Sequence, residues 1–309
     1  MIHRKIHSAI VTGPTGTIGN ALIKKLREEL IEVYAIVNPD SSRISEILHE
    51  DMVHIIKCDI SEIKNLKTYI SENIDAFFHL AWIGTTGPSR NDIYTQIRNI
   101  KYTIDAVDVA KDLGCQIFVG AGSQAEHGTV NDTIFSDTPC FPENAYGMAK
   151  LCAGQMSRLQ SAKLGINHVW MRVLSVYGPH DWIGSMISST IMKLLRREKP
   201  ALTAGEQLWD YLYCDDAANA FYLAALSGKN GATYPLGSGI AKPLREYVEI
   251  LRDLIDPNLP LGFGEIPYES KQIMHLQADI SSLHDDTGFT PEIDFPLGIK
   301  KAIIWMKKR

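Results

Sequence analysis

Tyr146 and Lys150, four residues apart, are the two side chains of this sequence best suited to moving a proton. The apolar pattern predicts a helix over residues 146–164, and side chains four apart on a helix share one face. A phenol with its ordinary pKa of ~10 exchanges protons poorly near pH ~7. An ammonium beside it favours the phenolate and lowers that pKa. We therefore expect Lys150 to activate Tyr146 for acid–base chemistry.

A glycine-rich turn near the start of the chain could hold phosphate groups. It reads TGPTGTIG over residues 12–19, with glycines at 13, 16 and 19. An apolar run over residues 6–12 predicts a strand before the turn, and the pattern over residues 17–30 predicts a helix after it. The glycines let the backbone approach a pyrophosphate, which the free N–H groups of the helix N-terminus bind. This strand–turn–helix context predicts a dinucleotide site.

Short apolar runs alternate with helical patterns through the first half of the chain. Strands are predicted at 32–37, 53–57, 76–80, 117–120 and 168–173, and a long helix at 91–113. This alternation indicates an α/β fold with a Rossmann-like, doubly wound parallel sheet. Beyond residue 175, predicted helices at 186–197, 215–226 and 244–255 are separated by proline-containing loops. We expect a cofactor-binding domain over residues 1–174 and a smaller C-terminal substrate-binding lobe over residues 175–309, some of whose elements cross back to the first domain.

The composition excludes several classes of protein. The 309 residues are 45% hydrophobic and 22% charged, which is ordinary for a globular chain. The net charge of -5 argues against a nucleic acid partner, which needs clustered Lys and Arg. The five cysteines form no CxxC pair, so we expect neither disulfides nor a metal site, and a cytoplasmic location fits. No apolar stretch approaches ~18 residues, so we expect no membrane span.

Motifs spread over nearly the whole chain carry a resemblance to a known family. The glycine turn has the spacing GxxGxxG, and Tyr146 and Lys150 form a YxxxK pair. The other motifs are Asp59 after the third strand, HLA at 79–81, GAGS at 120–123, RVLSVYGP at 172–179, QLWDYLYCD at 207–215, AD at 278–279 and TGFTP at 287–291. Together they resemble the extended short-chain dehydrogenase/reductase superfamily, and within it the NAD(P)-dependent epimerase/dehydratase family that acts on nucleotide sugars.

The resemblance implies a role for individual residues. It implies hydride transfer between a nicotinamide and a hydroxyl or keto carbon, with Tyr146 moving the proton, Ser123 orienting the substrate oxygen and Lys150 also holding the nicotinamide ribose. The implied cofactor-binding residues are Gly13, Thr15, Gly16, Thr17, Ile18, Gly19, Asn38, Ser42, Arg43, Asp59, Ile60, Leu80, Ala81 and Lys150. The implied substrate-binding residues are Thr85, Thr86, Ser123, Gln124, Tyr146, Ser175, His180 and Trp209.

Departures from the family pattern narrow the reaction. The 4,6-dehydratases carry an Asp-Glu pair after the active-site hydroxyl, whereas Gln124 and Ala125 follow Ser123 here, although Glu126 is close. The C3/C5 epimerases carry a cysteine near that serine, and this chain has none there. The remaining chemistry is redox at one carbon. A 4-keto reductase ranks first and a C4 epimerase second; the alternatives are a carbonyl reductase of a small non-nucleotide metabolite and a non-catalytic dinucleotide sensor.

Two further departures concern the phosphates of the substrate. The family arginine that grips the pyrophosphate is Trp209 here, and a second arginine is replaced by Glu269 and Ser270. Ser175 also stands where the family has an asparagine. Losing a guanidinium weakens phosphate binding. Lys271, Arg196 or Lys199 could compensate, or the substrate lacks a diphosphate, and Trp209 could instead stack on a base or sugar.

The end of the second strand bears on the choice of cofactor. A carboxylate there selects NAD(H) by binding the ribose 2′-hydroxyl and repelling a 2′-phosphate, but this chain has Asn38. Ser41, Ser42 and Arg43 could bind that phosphate, and Asp40 opposes it. We expect NADP(H) to be preferred, with NAD(H) possible.

Two predicted helices, at 91–113 and 146–164, resemble those that form a four-helix dimer interface in this superfamily. A stripe of apolar residues at 93, 97, 100, 104 and 107 marks the first. Burial of such stripes on the sheet within one chain is the alternative explanation. We expect a homodimer.

Overall fold

A seven-stranded parallel sheet forms the centre of the computed structural model, which describes residues 3–270 and 272–308. The strand order is β10-β6-β5-β4-β1-β2-β3. The strands are β1 (Ser8–Thr12), β2 (Glu32–Val37), β3 (Val53–Lys57), β4 (Ala76–His79), β5 (Ile117–Ser123), β6 (Asn167–Val173) and β10 (Ala232–Leu236). The predicted doubly wound sheet is confirmed.

Helices cover both faces of this sheet, and this is why its strands are continuous apolar runs without alternation. Every residue of β1 and β5 is buried. The covering helices are α1 (Thr17–Glu28), α2 (Ile93–Asp112), α3 (Ala145–Leu164) and α5 (Cys214–Ser227). The fifth strand extends three residues beyond its predicted end and includes Ser123, which the sequence placed just past it.

The second half of the chain builds a smaller lobe at the carboxyl edge of the sheet. Its strands are β7 (Ser175–Tyr177), β8 (Ala201–Leu202), β9 (Leu208–Tyr213), β11 (Ala241–Pro243), β12 (Gly262–Phe263) and β13 (His275–Leu276). Its helices are α4 (Met186–Leu195), α6 (Leu244–Ile255), α7 (Ser281–Thr287) and α8 (Phe295–Met306). Two later elements contact the first half of the chain: β10 pairs with β6, and α5 packs on α1. The boundary at residue 174 stays a prediction.

The sheet reverses its order of winding at β1, which lies between β2 and β4. The chain moves to one side of β1 for the next two strands and to the other side for the following ones. In open α/β sheets, ligands bind in the crevice that forms at the carboxyl ends of strands at such a switch point. The glycine turn, which follows β1, lies at this edge.

Within the described residues, no helix is long and apolar enough to cross a membrane. The five cysteines are all free thiols, at positions 58, 115, 140, 152 and 214. 

A stack of aromatic rings beneath the sheet contains a buried histidine. The ring of His168 lies parallel to those of Phe118 and Trp170, with centroids 5.8 and 6.1 Å away. Its Nε2 is 2.9 Å from the hydroxyl of Ser157, and its Nδ1 has no hydrogen-bond partner. Burial, with a contribution from Arg158, lowers the pKa of His168 to about 3. The imidazole is therefore neutral in the folded protein near neutral pH.

We expect the replacement His168→Phe to reduce the acid sensitivity of the fold. The unfolded chain binds a proton at this site below its ordinary pKa of ~6.5, whereas the folded chain does not, so stability falls as the pH falls. Between pH 6 and pH 5 the loss from one such histidine is about 1 kcal/mol. Urea unfolding at both pH values measures it. The exposed His49→Asn variant is the control, and an unchanged pH dependence in His168→Phe would contradict the assignment.

Candidate active site

The glycine turn between β1 and α1 is shaped by backbone contacts that exclude side chains. Gly13 has a φ of +71°, and a Cβ there would lie 2.9 Å from the backbone N of Ala81. A Cβ on Gly19 would lie 2.1 Å from the carbonyl oxygen of Gly13. Gly16 has room for a Cβ within the protein, so only a closely approaching ligand would require a glycine there. No side chain caps the first turn of α1, which leaves its N–H groups available to an anion.

Thr12, the last residue of β1, fixes the opposite wall of the turn. Its hydroxyl oxygen accepts hydrogen bonds from the backbone N–H groups of Leu80 and Ala81, both at 3.1 Å. It also lies 3.2 Å from Nδ1 of His79, whose Nε2 is 3.3 Å from the hydroxyl of Thr103. Burial and the charge of Lys150 lower the pKa of His79 to about 3. His79 is thus a neutral residue that ties β1, β4 and α2 together beneath the turn.

A cavity of about 400 Å³ opens above this turn. Its polar, backbone-lined floor and open helix N-terminus fit the diphosphate of a dinucleotide, and Ile36, Ile60 and Ile63 provide an apolar end for an adenine. The predicted cofactor residues that line it are Gly13, Thr15, Gly16, Asn38, Arg43, Ile60, Leu80 and Ala81. Thr17, Ile18, Gly19, Ser42, Asp59 and Lys150 do not line it, whereas Ser41, Cys58, Trp82 and Thr85 do.

Hydrogen bonds fix the rim of the cavity at the end of β2. The side chain of Asn38 donates to Asp59 at 2.9 Å and accepts from the backbone N–H of Asp40 at 2.8 Å. Arg43 donates to the carbonyl oxygen of His180 at 3.4 Å. Of the three residues proposed for a 2′-phosphate, Ser41 and Arg43 line the cavity and Ser42 does not.

His180, predicted to contact substrate, is directed elsewhere. Its φ of 63° lies in the left-handed region, and its Nδ1 is 2.6 Å from the carboxylate of Glu46. Its ring packs on Trp305, with centroids 4.9 Å apart. Burial, followed by the charge of Arg43, lowers its pKa. The residue lines neither cavity of the candidate site and instead joins the loop after β7 to the cofactor side.

The three predicted catalytic residues lie together at the carboxyl edge. Ser123 ends β5, and Tyr146 and Lys150 occupy the first two turns of α3, which Asn144 caps by accepting a hydrogen bond from Gly147. Ser123, Tyr146 and Lys150 are 8%, 8% and 4% exposed. Ser123 is close enough to Tyr146 to lower the pKa of its phenol, against the burial that raises it. This arrangement can orient an oxygen and exchange a proton with it.

The expected activation of Tyr146 by Lys150 is not present in this structure. Nζ of Lys150 donates to the carbonyl oxygen of Ala121 at 2.6 Å and lies 5.8 Å from the centroid of the Tyr146 ring. Burial raises the pKa of Tyr146, and the groups that oppose this are Ser123 and Arg90. Burial also lowers the pKa of Lys150 to about 7, against the attraction of Glu126. For both groups, the pKa shift caused by desolvation is larger than the opposing shifts from neighbouring groups.

Arg90 is the cation nearest the tyrosine, and the sequence interpretation missed it. Its guanidinium carbon lies 4.2 Å from the centroid of the Tyr146 ring, and it donates to the carbonyl oxygen of Thr85 at 2.7 Å. It belongs to a short 3-10 turn, Pro88–Arg90, in the loop before α2. No periodicity or motif marks this residue, so only its contact with the ring identifies it.

Glu126, the carboxylate close to Ser123, is engaged behind the site. It is fully buried, accepts from Nε of Arg172 at 2.8 Å, and accepts at 2.9 Å from both Nε1 of Trp170 and the backbone N–H of Ser123. The two carboxylate oxygens are thus occupied by Arg172, Trp170 and the backbone of Ser123. That elimination of water is not the reaction stays a prediction.

A second cavity, of about 290 Å³, lies in the C-terminal lobe. Trp209 lines it, and its indole Nε1 donates to the hydroxyl of Ser175 at 2.8 Å, so two of the departures from the family pattern contact each other. Lys193 lines the cavity too.

Of the cations predicted to replace the missing arginines, the two that the structure describes do not line this cavity. Lys199 pairs with Glu265, Arg196 lines a separate groove beside Trp305, and Lys271 lies outside the described residues. Thr86 is exposed and Gln124 half-buried, and neither lines a cavity described here.

Comparison with known proteins identifies relatives along most of the chain. The model of the NAD dependent epimerase/dehydratase family matches residues 9–237. A protein of Methanocaldococcus jannaschii, provisionally named UDP-glucose 4-epimerase, is 28% identical over 312 residues, which cover 96% of this chain and 98% of that protein. The family predicted from the motifs is therefore confirmed.

Two solved structures share the fold. UDP-glucuronic acid 4-epimerase from Bacillus cereus, in complex with NAD, has a TM-score of 0.84 and 20% identity, covering 97% of this chain and 99% of its own. RMD from Pseudomonas aeruginosa, complexed with NADPH, has a TM-score of 0.82 and 21% identity, covering 98% of this chain and 100% of its own. Proteins with this fold thus bind either nicotinamide dinucleotide.

Proposed function

Because this chain belongs to the NAD-dependent epimerase/dehydratase family, we propose that it inverts the C4 hydroxyl of a nucleotide-activated sugar. The observation that carries the proposal is the grouping of Ser123, Tyr146 and Lys150, all buried at the carboxyl ends of the strands, beside a cavity whose glycine turn fits a dinucleotide. A nicotinamide held beside these residues would supply the hydride acceptor and donor that the reaction needs.

The residues of the chain supply orientation and proton transfer. Ser123 holds the C4 oxygen by a hydrogen bond, and Tyr146 takes the proton from that oxygen as the carbon is oxidised. Tyr146 returns the proton when the opposite face of the 4-keto sugar is reduced. Arg90 places positive charge beside the phenol, which favours its ionised form against the burial that raises its pKa.

Two observations favour epimerisation over the other reactions of the family. The sequence ranks a 4-keto reductase first. However, the Methanocaldococcus jannaschii relative and the NAD-bound structure from Bacillus cereus both bear a 4-epimerase name. Elimination of water needs a free acid beside Ser123, and Glu126 is bound to Arg172 and Trp170. We therefore place C4 epimerisation ahead of reduction and dehydration.

The experiment is an assay for interconversion without net redox change. The purified protein with NAD or NADP is incubated with UDP-glucose, UDP-N-acetylglucosamine and UDP-glucuronic acid, and the products are resolved by NMR. We expect the C4 epimer of at least one sugar with constant absorbance at ~340 nm. Stoichiometric oxidation of NADPH by a 4-keto-6-deoxy sugar would instead establish a reductase. Turnover of only a non-nucleotide carbonyl compound would replace the nucleotide-sugar proposal.

The second cavity supports a nucleotide as the remote part of the substrate. Its wall combines the indole of Trp209 and the aliphatic side chains of Leu202 and Val248 with the ammonium of Lys193. Apolar and aromatic walls with few polar groups are typical of a site for a flat base. We infer that Lys193, as a point charge, takes over part of the phosphate binding that the family assigns to the arginine at position 209.

We further propose that NADP(H) binds more tightly than NAD(H). Asn38 carries no charge to repel a 2′-phosphate, and Arg43 lines the same cavity. We expect Arg43→Met to raise the Kd of NADPH about 10-fold or more and to change that of NADH less than about 2-fold, since the lost contact is charge-assisted. Isothermal titration calorimetry measures both. Arg196→Met, in a different groove, is the control, and equal effects on the two dinucleotides would contradict the proposal.

We also propose a homodimer formed through α2 and α3. The predicted alternative, burial of the apolar stripe on the sheet, fails for Ile93 and Ile97, which are 62% and 55% exposed. On α3, Met148, Met156 and Leu159 are also exposed. The two helices pack side by side and are joined by a hydrogen bond from Gln160 to Asp108. An exposed apolar surface of this kind is typical of a protein interface.

We expect Ile97→Asp to convert the dimer into a monomer at micromolar concentration. A carboxylate in the centre of an apolar interface is desolvated without a partner, which costs several kcal/mol. Light scattering coupled to gel filtration measures the mass. The matched control is Ile304→Asp on α8, at a residue with 56% exposure. A wild-type protein that is monomeric would remove the proposal.

A further inference from the structure

Trp82 connects the dinucleotide cavity to the catalytic residues. It lines that cavity, whereas Ser123, Tyr146 and Lys150 do not. Nζ of Lys150 lies 3.9 Å from the centroid of its ring. The ring also meets that of Tyr146 edge-on, with centroids 6.0 Å apart and an interplanar angle of 85°. The indole is thus the one described side chain with ring contacts to both members of the Tyr–Lys pair.

Buried amides on α2 hold this indole in place. Nε1 of Trp82 donates to Oε1 of Gln96 at 2.9 Å, and Nε2 of Gln96 donates to the carbonyl oxygens of Gly84 and Ser89. Asn99 exchanges two hydrogen bonds with the backbone of Ile83, at 3.0 and 2.8 Å. Gln96 and Asn99 are 1% and 2% exposed. The segment after β4 is therefore fixed by groups that are themselves well buried.

The ammonium of Lys150 has few other partners. Its direct hydrogen bond is to the neutral carbonyl of Ala121, and within the described ranges it forms no ion pair. Three charged or titratable groups surround Lys150 and Tyr146. Glu126 attracts Lys150 but is bound to Arg172, and His79 is neutral. Arg90 lies against the face of the Tyr146 ring. Of the two aromatic rings near this charge, that of Trp82 is the closer, at 3.9 Å against 5.8 Å for Tyr146, and so contributes more to its stabilisation.

We propose that Trp82 is a positioning residue that holds the Lys150 side chain charged and aligned through its aromatic face. This proposal rests on the proposed function for its kinetic consequence but not for the contact itself. A cation against an indole is favoured over the neutral amine because the ring quadrupole attracts the charge. Removal of the ring allows burial to dominate, so the lysine loses its proton at a lower pH.

The test compares Trp82→Leu, which removes the aromatic face, with Trp82→Phe, which keeps one. The first readout is the NMR titration of lysine ε-carbons, with the Lys150 resonance identified by its absence from Lys150→Arg. We expect the midpoint to fall by about half to one pH unit in Trp82→Leu and by less in Trp82→Phe. The second readout is kcat/KM against pH, whose alkaline limb should move by the same amount.

The outcomes separate this proposal from the function on which it builds. An unchanged midpoint in Trp82→Leu, or equal shifts in the two variants, overturns the role of the aromatic face. A shifted midpoint in a protein that turns over no nucleotide sugar supports the contact and rejects the proposed function. If Trp82→Leu does not fold, the titration is made on Trp82→Phe and Gln96→Met instead. Gln96→Met leaves the indole in the protein but removes the hydrogen bond that holds it. The fall in the Lys150 midpoint must then be larger in Gln96→Met than in Trp82→Phe.

Discussion

Replacement of Tyr146 with Phe is expected to reduce turnover about a thousandfold, within the range of general acid–base contributions, while the Kd of the dinucleotide stays within about 2-fold. Only the hydroxyl is lost, and that hydroxyl is the group proposed to take the proton from the C4 oxygen. The ring remains, with its contacts to Trp82 and Arg90 intact. The fold and the cavity above the glycine turn should therefore be unaffected.

Single-turnover measurements with saturating cofactor report the chemical step, and fluorescence titration reports binding. Tyr222→Phe is the matched control, because its hydroxyl contacts Glu29 on the surface and the residue lines neither cavity of the candidate site. Turnover within about 10-fold of wild type would mean that another group moves the proton. Equal losses of turnover and cofactor binding would point to a collapsed cavity and not to a missing acid–base group.

Local sequence was sufficient to predict the sheet and its phosphate-binding turn because their residues have few alternatives. A strand buried on both faces is mainly apolar, and β1 and β5 are buried along their whole length. Gly13 and Gly19 cannot carry a side chain in this turn, so glycines at this spacing in the sequence predict the conformation of the turn. The end of β5 was predicted three residues early because its last residues are small and polar, which is typical of a loop, although here they remain paired with β6.

The electrostatics of the site were not predictable from spacing. Lys150 and Tyr146 do share a face of α3. The direction of the Lys150 ammonium, however, depends on its contacts with Ala121 near the end of β5 and with Trp82 just after β4. Arg90 and Trp82 belong to the segment between β4 and α2, and their positions follow from the buried amides of Gln96 and Asn99. Polar residues buried in a helix give no periodic signal that distinguishes them from solvent-facing ones.

The apolar stripe on α2 shows the same limit. Hydrophobic periodicity identifies a helical face but does not say what covers it. The buried face contains polar residues such as Asn99 and Thr103 beside apolar ones such as Val107, whereas Ile93 and Ile97 are exposed. A single chain therefore leaves the first part of the stripe uncovered, and this is the part that the proposed dimer would bury.

The second large effect expected is on stability, from the ion pair behind the catalytic serine. Arg172→Met should lower the free energy of unfolding by about 3–5 kcal/mol, because it leaves the fully buried carboxylate of Glu126 without its counter-ion. By contrast, Lys24→Met breaks a pair whose side chains are 60% and 57% exposed, and should cost less than about 1 kcal/mol. Urea unfolding of the two variants makes the comparison.

The double variant Glu126→Gln with Arg172→Met distinguishes the loss of charge pairing from the loss of shape. The amide oxygen of a glutamine can still accept from Trp170 and from the backbone N–H of Ser123, as Oε1 of Glu126 does. No buried charge then remains, so we expect the double variant to be more stable than Arg172→Met alone. A double variant as unstable as the single one would show that Arg172 acts through its packing. Oε1 of Glu126 also accepts from the backbone N–H of Ser123. If that contact sets the position of the serine, the double variant, whose glutamine keeps the contact, should turn over substrate at least as fast as Arg172→Met alone.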